Sequence, residues 1–164
     1  KYILLLILIL GIKSYSQNFD RFTLSIYSEP QHYFESINKK ADGFNIGGSI
    51  EYQMKYFFVG FQTYYFPELH NISYLDFDGS IGLNYRNKFN DLRIFIDAHI
   101  GAINRKGWAH AKIGTRIGVE KYFNSVFFGL VYNFEHAKDN KIYNPKLNGH
   151  NRNNFGFKVG FVLN

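Results

Sequence analysis

The chain has 164 residues, room for one domain and not for two, with 20% aromatics, 15 glycines, no cysteine and a formal net charge of +6. A mean hydropathy of −0.24 argues against a bundle of membrane helices, and the absent cysteines exclude a disulfide framework. The basic balance suits a surface facing anionic lipid, and the export signal described next sets nucleic acid aside as a partner.

Tyr2 to Ile12 is a nearly unbroken run of Ile and Leu behind Lys1. It is too short for a helical span and suits the core of a signal peptide. Ser14 and Ser16 put small side chains at the −3 and −1 positions of a cleavage site before Gln17. The expected organisation is a signal peptide over 1–16 and one exported domain over 17–164.

From there the apolar residues recur with a period of two, which reads as strands. The first is expected near 21–28, with Phe22, Leu24 and Ile26 on one face. The second spans about 44–53 and the third about 56–66, the latter with Phe57, Val59, Phe61 and Tyr65 outward. The fourth, near 74–85, sets Phe77, Ile81 and Leu83 against Asp76, Asp78 and Gly82. The fifth, near 92–103, sets Ile94, Ile96 and Ile100 against Arg93, Asp97 and His99. The sixth and seventh fall near 109–121 and 126–135. The eighth begins at Phe155 and alternates Phe157, Val159, Phe161 and Leu163 with glycine or lysine.

Connections at 53–55, 86–91 and 122–125 are short, those at 29–43 and 136–153 are long, 67–73 is intermediate, and 104–108 is short where the alternation calls for a longer loop. Short turns on one side and longer loops on the other, with greasy strands of about ten residues, are what a barrel in the outer membrane requires. The expected fold is therefore all-β: an eight-stranded antiparallel up-and-down transmembrane β-barrel with periplasmic termini. A soluble exported lipocalin-like ligand-binding barrel is the alternative with the same strand number and opposite polarity.

The polar face carries both signs of charge: Glu51, Asp76, Asp78, Arg93, Asp97, Lys112, Arg116, Glu120, Glu135 and Lys158. A barrel this small is just wide enough for side chains to fill. The expectation is a lumen filled by a mixed ion-pair network rather than a pore, with glycines making room for the long bases. His32, His70, His110, His136 and His150 are expected at the outer rim, with Glu29, Glu68, Glu135 and Asp139 nearby. Their spacings match no metal motif, so no metal and no cofactor is expected. Lys138, Lys141, Lys146 and Arg152, in the last long loop, are expected to face lipopolysaccharide phosphates. Tyr64, Tyr65, Phe66, Trp108, Tyr122 and Phe123 fall near strand ends and suit interfacial aromatic girdles.

By this pattern, residues 17–164 resemble the small outer-membrane barrels of the OmpA/OmpX-like group. The resemblance implies a Gram-negative cell envelope, assembly by the barrel-assembly machinery, and a porin-like wall. It further implies a structural role or contact with a protein partner through the outer loops. The run Glu135-His136-Ala137-Lys138-Asp139-Asn140, followed by Asn144-Pro145, is similar to a late-strand segment of lipid A 3-O-deacylases. That similarity implies His136 as general base, in an acyl hydrolase acting on lipid A or phospholipid. Lys138 stands where the serine nucleophile belongs, so the implied relative is degenerate.

Overall fold

The computed structural model describes residues 20–34, 39–42, 45–69, 72–87, 91–105, 108–137 and 150–163. Alternating β-branched, aromatic and small residues give strands β1 (Arg21–Phe34), β2 (Lys39–Asp42), β3 (Ile46–Gln53), β4 (Phe57–Leu69) and β5 (Ile72–Asn87). β6 (Leu92–Arg105), β7 (Trp108–Phe123), β8 (Val126–Ala137) and β9 (His150–Leu163) follow. All pairings are antiparallel between neighbours, and β1 also pairs with β9, from Phe22 opposite Leu163 to Phe34 opposite Arg152. β2 pairs with the far part of β1 beyond the stretch held by β3, so it extends that stave. The wall is thus a closed, eight-stranded, up-and-down β-barrel. The segment 1–16, expected as a signal peptide, and the loop 138–149 lie outside the described residues.

Prolines account for two of the differences from the expected strand limits. β1 continues past Ser28 because the ladder absorbs Pro30 in an irregularity between Ser28 and Gln31. The same happens around Pro67, where the register shifts between Phe66 and Leu69. Proline has no N–H to give a ladder, so it is carried at a bulge instead of ending the strand. At the short-turn end, Asn124 has φ 56° and Asp91 has φ 49°, a left-handed conformation that these short polar side chains tolerate.

Period-two alternation sorts the two faces. On β6, Arg93, Phe95, Asp97 and His99 are buried, while Ile94, Ile96 and Ile100 are exposed. The same alternation holds along β8, where Phe128, Leu130, Tyr132 and Phe134 are exposed. Apolar outside and charged inside is the reverse of the soluble ligand-binding barrel. Tyr65 and Phe123 are exposed as expected of girdle residues, whereas Tyr64 and Tyr122 are buried at 2%. Their positions have inward parity, which outweighs proximity to a strand end. The side chains of Phe66 and Trp108 are outside the described set.

Inward glycines do more than make room for bases. Phe58, Phe95 and Phe127 lie opposite Gly82, Gly118 and Gly160 in register. A Cβ at those glycines would sit 2.4, 2.5 and 2.4 Å from the facing ring. Each ring therefore lies across the neighbouring strand's bare backbone, which is how so many aromatics fit in a narrow interior. Gly118→Ala is expected to cost about 1–3 kcal/mol by overpacking against Phe95. Gly79→Ala, with nothing within 4 Å of the new Cβ, is expected to change stability by less than about 1 kcal/mol. Urea unfolding of the refolded barrel in detergent would compare the two.

Candidate functional site: the ionic interior

The ten charged residues expected inside are all buried, and they form three layers. Nearest the short turns, Arg93 Nη1 donates to Glu51 Oε2 at 3.0 Å and to Glu120 Oε2 at 2.7 Å. Lys158 Nζ donates to Glu120 Oε1 at 3.0 Å and also bonds Glu51. Two cations and two anions thus close a ring drawn from β3, β6, β7 and β9. Tyr122 donates to Glu120 Oε2 at 2.6 Å, and Asn84 Oδ1 accepts from Arg93 Nε at 3.2 Å. The Arg93 guanidinium lies 4.5 Å from the Phe58 ring centre and 4.7 Å from that of Phe95. Buried charge is costly unless it is paired and hydrogen-bonded, and here each charge has at least two opposite partners.

In the middle layer, Arg116 and Asp97 face each other across β6 and β7. Arg116 Nε reaches Asp97 Oδ2 at 2.9 Å and Nη2 reaches it at 2.6 Å. Asp97 Oδ1 lies 3.3 Å from His99 Nδ1. Toward the other mouth, Lys112 Nζ meets Asp76 Oδ2 at 2.6 Å, Asp78 Oδ2 at 2.8 Å and Glu135 Oε1 at 2.8 Å.

Several of these contacts skip a strand, and a glycine lies in register between the partners each time. Gly129 separates Glu120 from Lys158, Gly101 separates Asp78 from Lys112, and Gly114 separates His99 from Glu135. Without a side chain between them, the flanking groups meet over the backbone.

Two residues belong to the interior that sequence reading placed elsewhere. Glu29, expected at the rim, is buried on β1 and accepts from Tyr27 Oη at 2.5 Å, Asn45 Nδ2 at 2.9 Å and Asn154 Nδ2 at 3.1 Å. Arg152, expected in the lipopolysaccharide-facing loop, is 1% exposed on β9. Strand β9 starts at His150, so Arg152 shares inward parity with Asn154 and Lys158. Parity counted back from Lys158 and on from Tyr27 would have found both.

The expected rim histidines divide between the faces. His136 is on the outward parity of β8, its Nδ1 2.9 Å from Asn151 Oδ1. His110 shares the inward parity of Lys112, so these two cannot serve one site. The side chains of His32, His70 and His150 lie outside the described set, as do Lys138, Lys141 and Lys146.

An eight-stranded wall with this polarity has the fold of small outer-membrane barrels. The structure is similar to Neisserial surface protein A, with a TM-score of 0.62 at 10% identity over 85% of this chain and 95% of that one. It is also similar to the N-terminal β-barrel domain of Pseudomonas aeruginosa OprF, with a TM-score of 0.50 at 12% identity over 88% of this chain and all of that one. No protein-family model and no curated protein matches the chain.

Arg93→Met leaves Glu51 and Glu120 sharing Lys158 alone, and is expected to cost about 3–5 kcal/mol. Combining it with Glu120→Gln is expected to cost less than the sum of the two single changes. A double-mutant cycle on unfolding free energies measures the difference.

Proposed function

We propose that this chain is an outer-membrane protein with a filled, non-conducting barrel, acting structurally or through contacts made by its outer loops. The observation that carries this reading is the pairing of a continuous apolar outer wall with a charge-paired interior. Ile81, Ile100, Leu83, Phe57, Phe128 and Phe157 stand outward with half or more of their surface exposed. Such a wall is costly in water and suits hydrocarbon. A closed ladder satisfies the backbone polar groups that lipid cannot. The aromatics Phe58, Phe95 and Phe127 with the ring of Glu51, Arg93, Glu120 and Lys158 occupy the cross-section near the short turns. That packing supports a barrel without an ion path.

Both described ends of the chain, at Arg21 and Leu163, lie at the end of the short turns, which in this reading faces the periplasm. The other end then faces outward; its connections at 70–71 and 106–107 are two residues each, while 138–149 is long and carries Lys138, Lys141 and Lys146, which would meet lipopolysaccharide phosphates. A protein partner at those loops, and insertion by the barrel-assembly machinery, complete the proposal.

Ile81→Arg, on the outward face, is expected to destabilise the lipid-embedded barrel by roughly 2–4 kcal/mol. The wild-type protein is expected in outer-membrane fractions, with gel mobility that changes on boiling and no discrete conductance steps in a planar bilayer. Recovery in a detergent-free soluble pool would contradict the placement. Stable conductance steps would contradict the filled interior.

A further inference from the structure

The half of the interior away from the short turns holds more buried acid than base among the described residues. Glu29, Asp76, Asp78 and Glu135 are offset there by Lys112 and Arg152. The other layers balance, with Glu51 and Glu120 against Arg93 and Lys158, and Asp97 against Arg116. With all four carboxyl groups ionised and His99 neutral, the excess is two negative charges, as many as one divalent cation neutralises.

The geometry places acceptors where such an ion would sit. Lys112 Nζ bonds Glu135 Oε1 and, on Asp76 and Asp78, the Oδ2 atoms alone. Asp76 Oδ1 and Asp78 Oδ1 are buried and have no hydrogen-bond partner, and His99 Nε2 makes no hydrogen bond, its nearest acid oxygen being Glu135 Oε1 at 3.4 Å. Buried polar atoms are rarely left so, and a cluster of them calls for an ion or water. Donor atoms of Asp78, His99 and Glu135 all lie within 4.8 Å of one another. Two glycines hold space at this point: a Cβ on Gly101 would stand 2.2 Å from Asp78 Oδ1, and one on Gly114 would stand 2.4 Å from His99 Nε2.

His99 is also oriented as metal-bound imidazoles are. Its Nδ1 faces Asp97 Oδ1 at 3.3 Å, and Asp97 is held in turn by Arg116. A carboxylate that accepts a hydrogen bond from Nδ1–H leaves the Nε2 lone pair directed at the cluster. We propose that Asp78, His99 and Glu135, beside Asp76, bind a divalent first-row transition metal inside the barrel. One imidazole with carboxylates suits zinc, manganese or ferrous iron, whereas magnesium and calcium prefer oxygen alone. The expectation of no metal rested on spacing along the chain. These ligands come from β5, β6 and β8, so only the closed sheet brings them together.

The test uses the full chain without an affinity tag, refolded into detergent with Co²⁺ or Zn²⁺ and then desalted. The expected result is one metal per barrel, visible cobalt absorption bands that zinc abolishes, and imidazole coupling in the X-ray absorption spectrum of the zinc form. His99→Gln is expected to lose the metal, and His136→Gln to keep it. Asp97→Asn, which leaves every ligand in place, is expected to weaken binding about 10–100-fold. A wild-type barrel that refolds to the boiling-sensitive form but retains under a tenth of a metal per chain would overturn the proposal. So would equal retention by a folded His99→Gln barrel, which would place the ion on rim histidines. If His99→Gln fails to fold, the wild-type stoichiometry and imidazole signal decide alone.

Discussion

The ladder between β1 and β9 leaves neither strand with an open edge, and it encloses an interior little wider than the side chains that face it. Once the sheet is closed, period-two alternation has only two destinations for a side chain. Every second residue enters a crowded space where charge must be paired. Every other one faces outward, where Leu, Ile and Phe form the wall. The inward placement of Arg93, Asp97 and Arg116 follows from the same parity that turns Ile94, Ile96 and Ile117 out.

Glycine resolves the crowding in two ways. Opposite an aromatic, as at Gly82, Gly118 and Gly160, it makes room for a ring. Between two charged residues, as at Gly101, Gly114 and Gly129, it opens a path for contact across an intervening strand. The second use turns pairwise bridges into a network, because Glu120 can bond a β6 arginine and a β9 lysine at once. A side chain at these glycines would separate the partners and leave buried charge unmatched.

The parity of the strands, and with it the interior position of the ten charges, was legible because the period-two pattern is long and regular from β6 to β8. Less was legible where proline interrupted the pattern. Pro30 reads as a strand end, so Glu29 was assigned to the rim although the ladder continues past it. Arg152 was lost to a long loop because the apolar alternation of β9 starts only at Phe155, while its backbone pairing starts at His150. The cluster of Asp78, His99 and Glu135 has no signature along the chain. It depends on which strand lies beside which, and on two glycines whose role appears only in register.

The absence of cysteine makes one measurement clean. Single cysteines placed in turn from Phe127 to Phe134 on β8 would carry nitroxide labels, and collision with lipid-dissolved oxygen would be read in reconstituted vesicles. The expected result is strict alternation, with high oxygen accessibility at Phe128, Leu130, Tyr132 and Phe134 and low accessibility at Phe127, Gly129, Val131 and Asn133. A flat profile, or one of opposite phase, would contradict a closed barrel with its apolar face in lipid and its charges within.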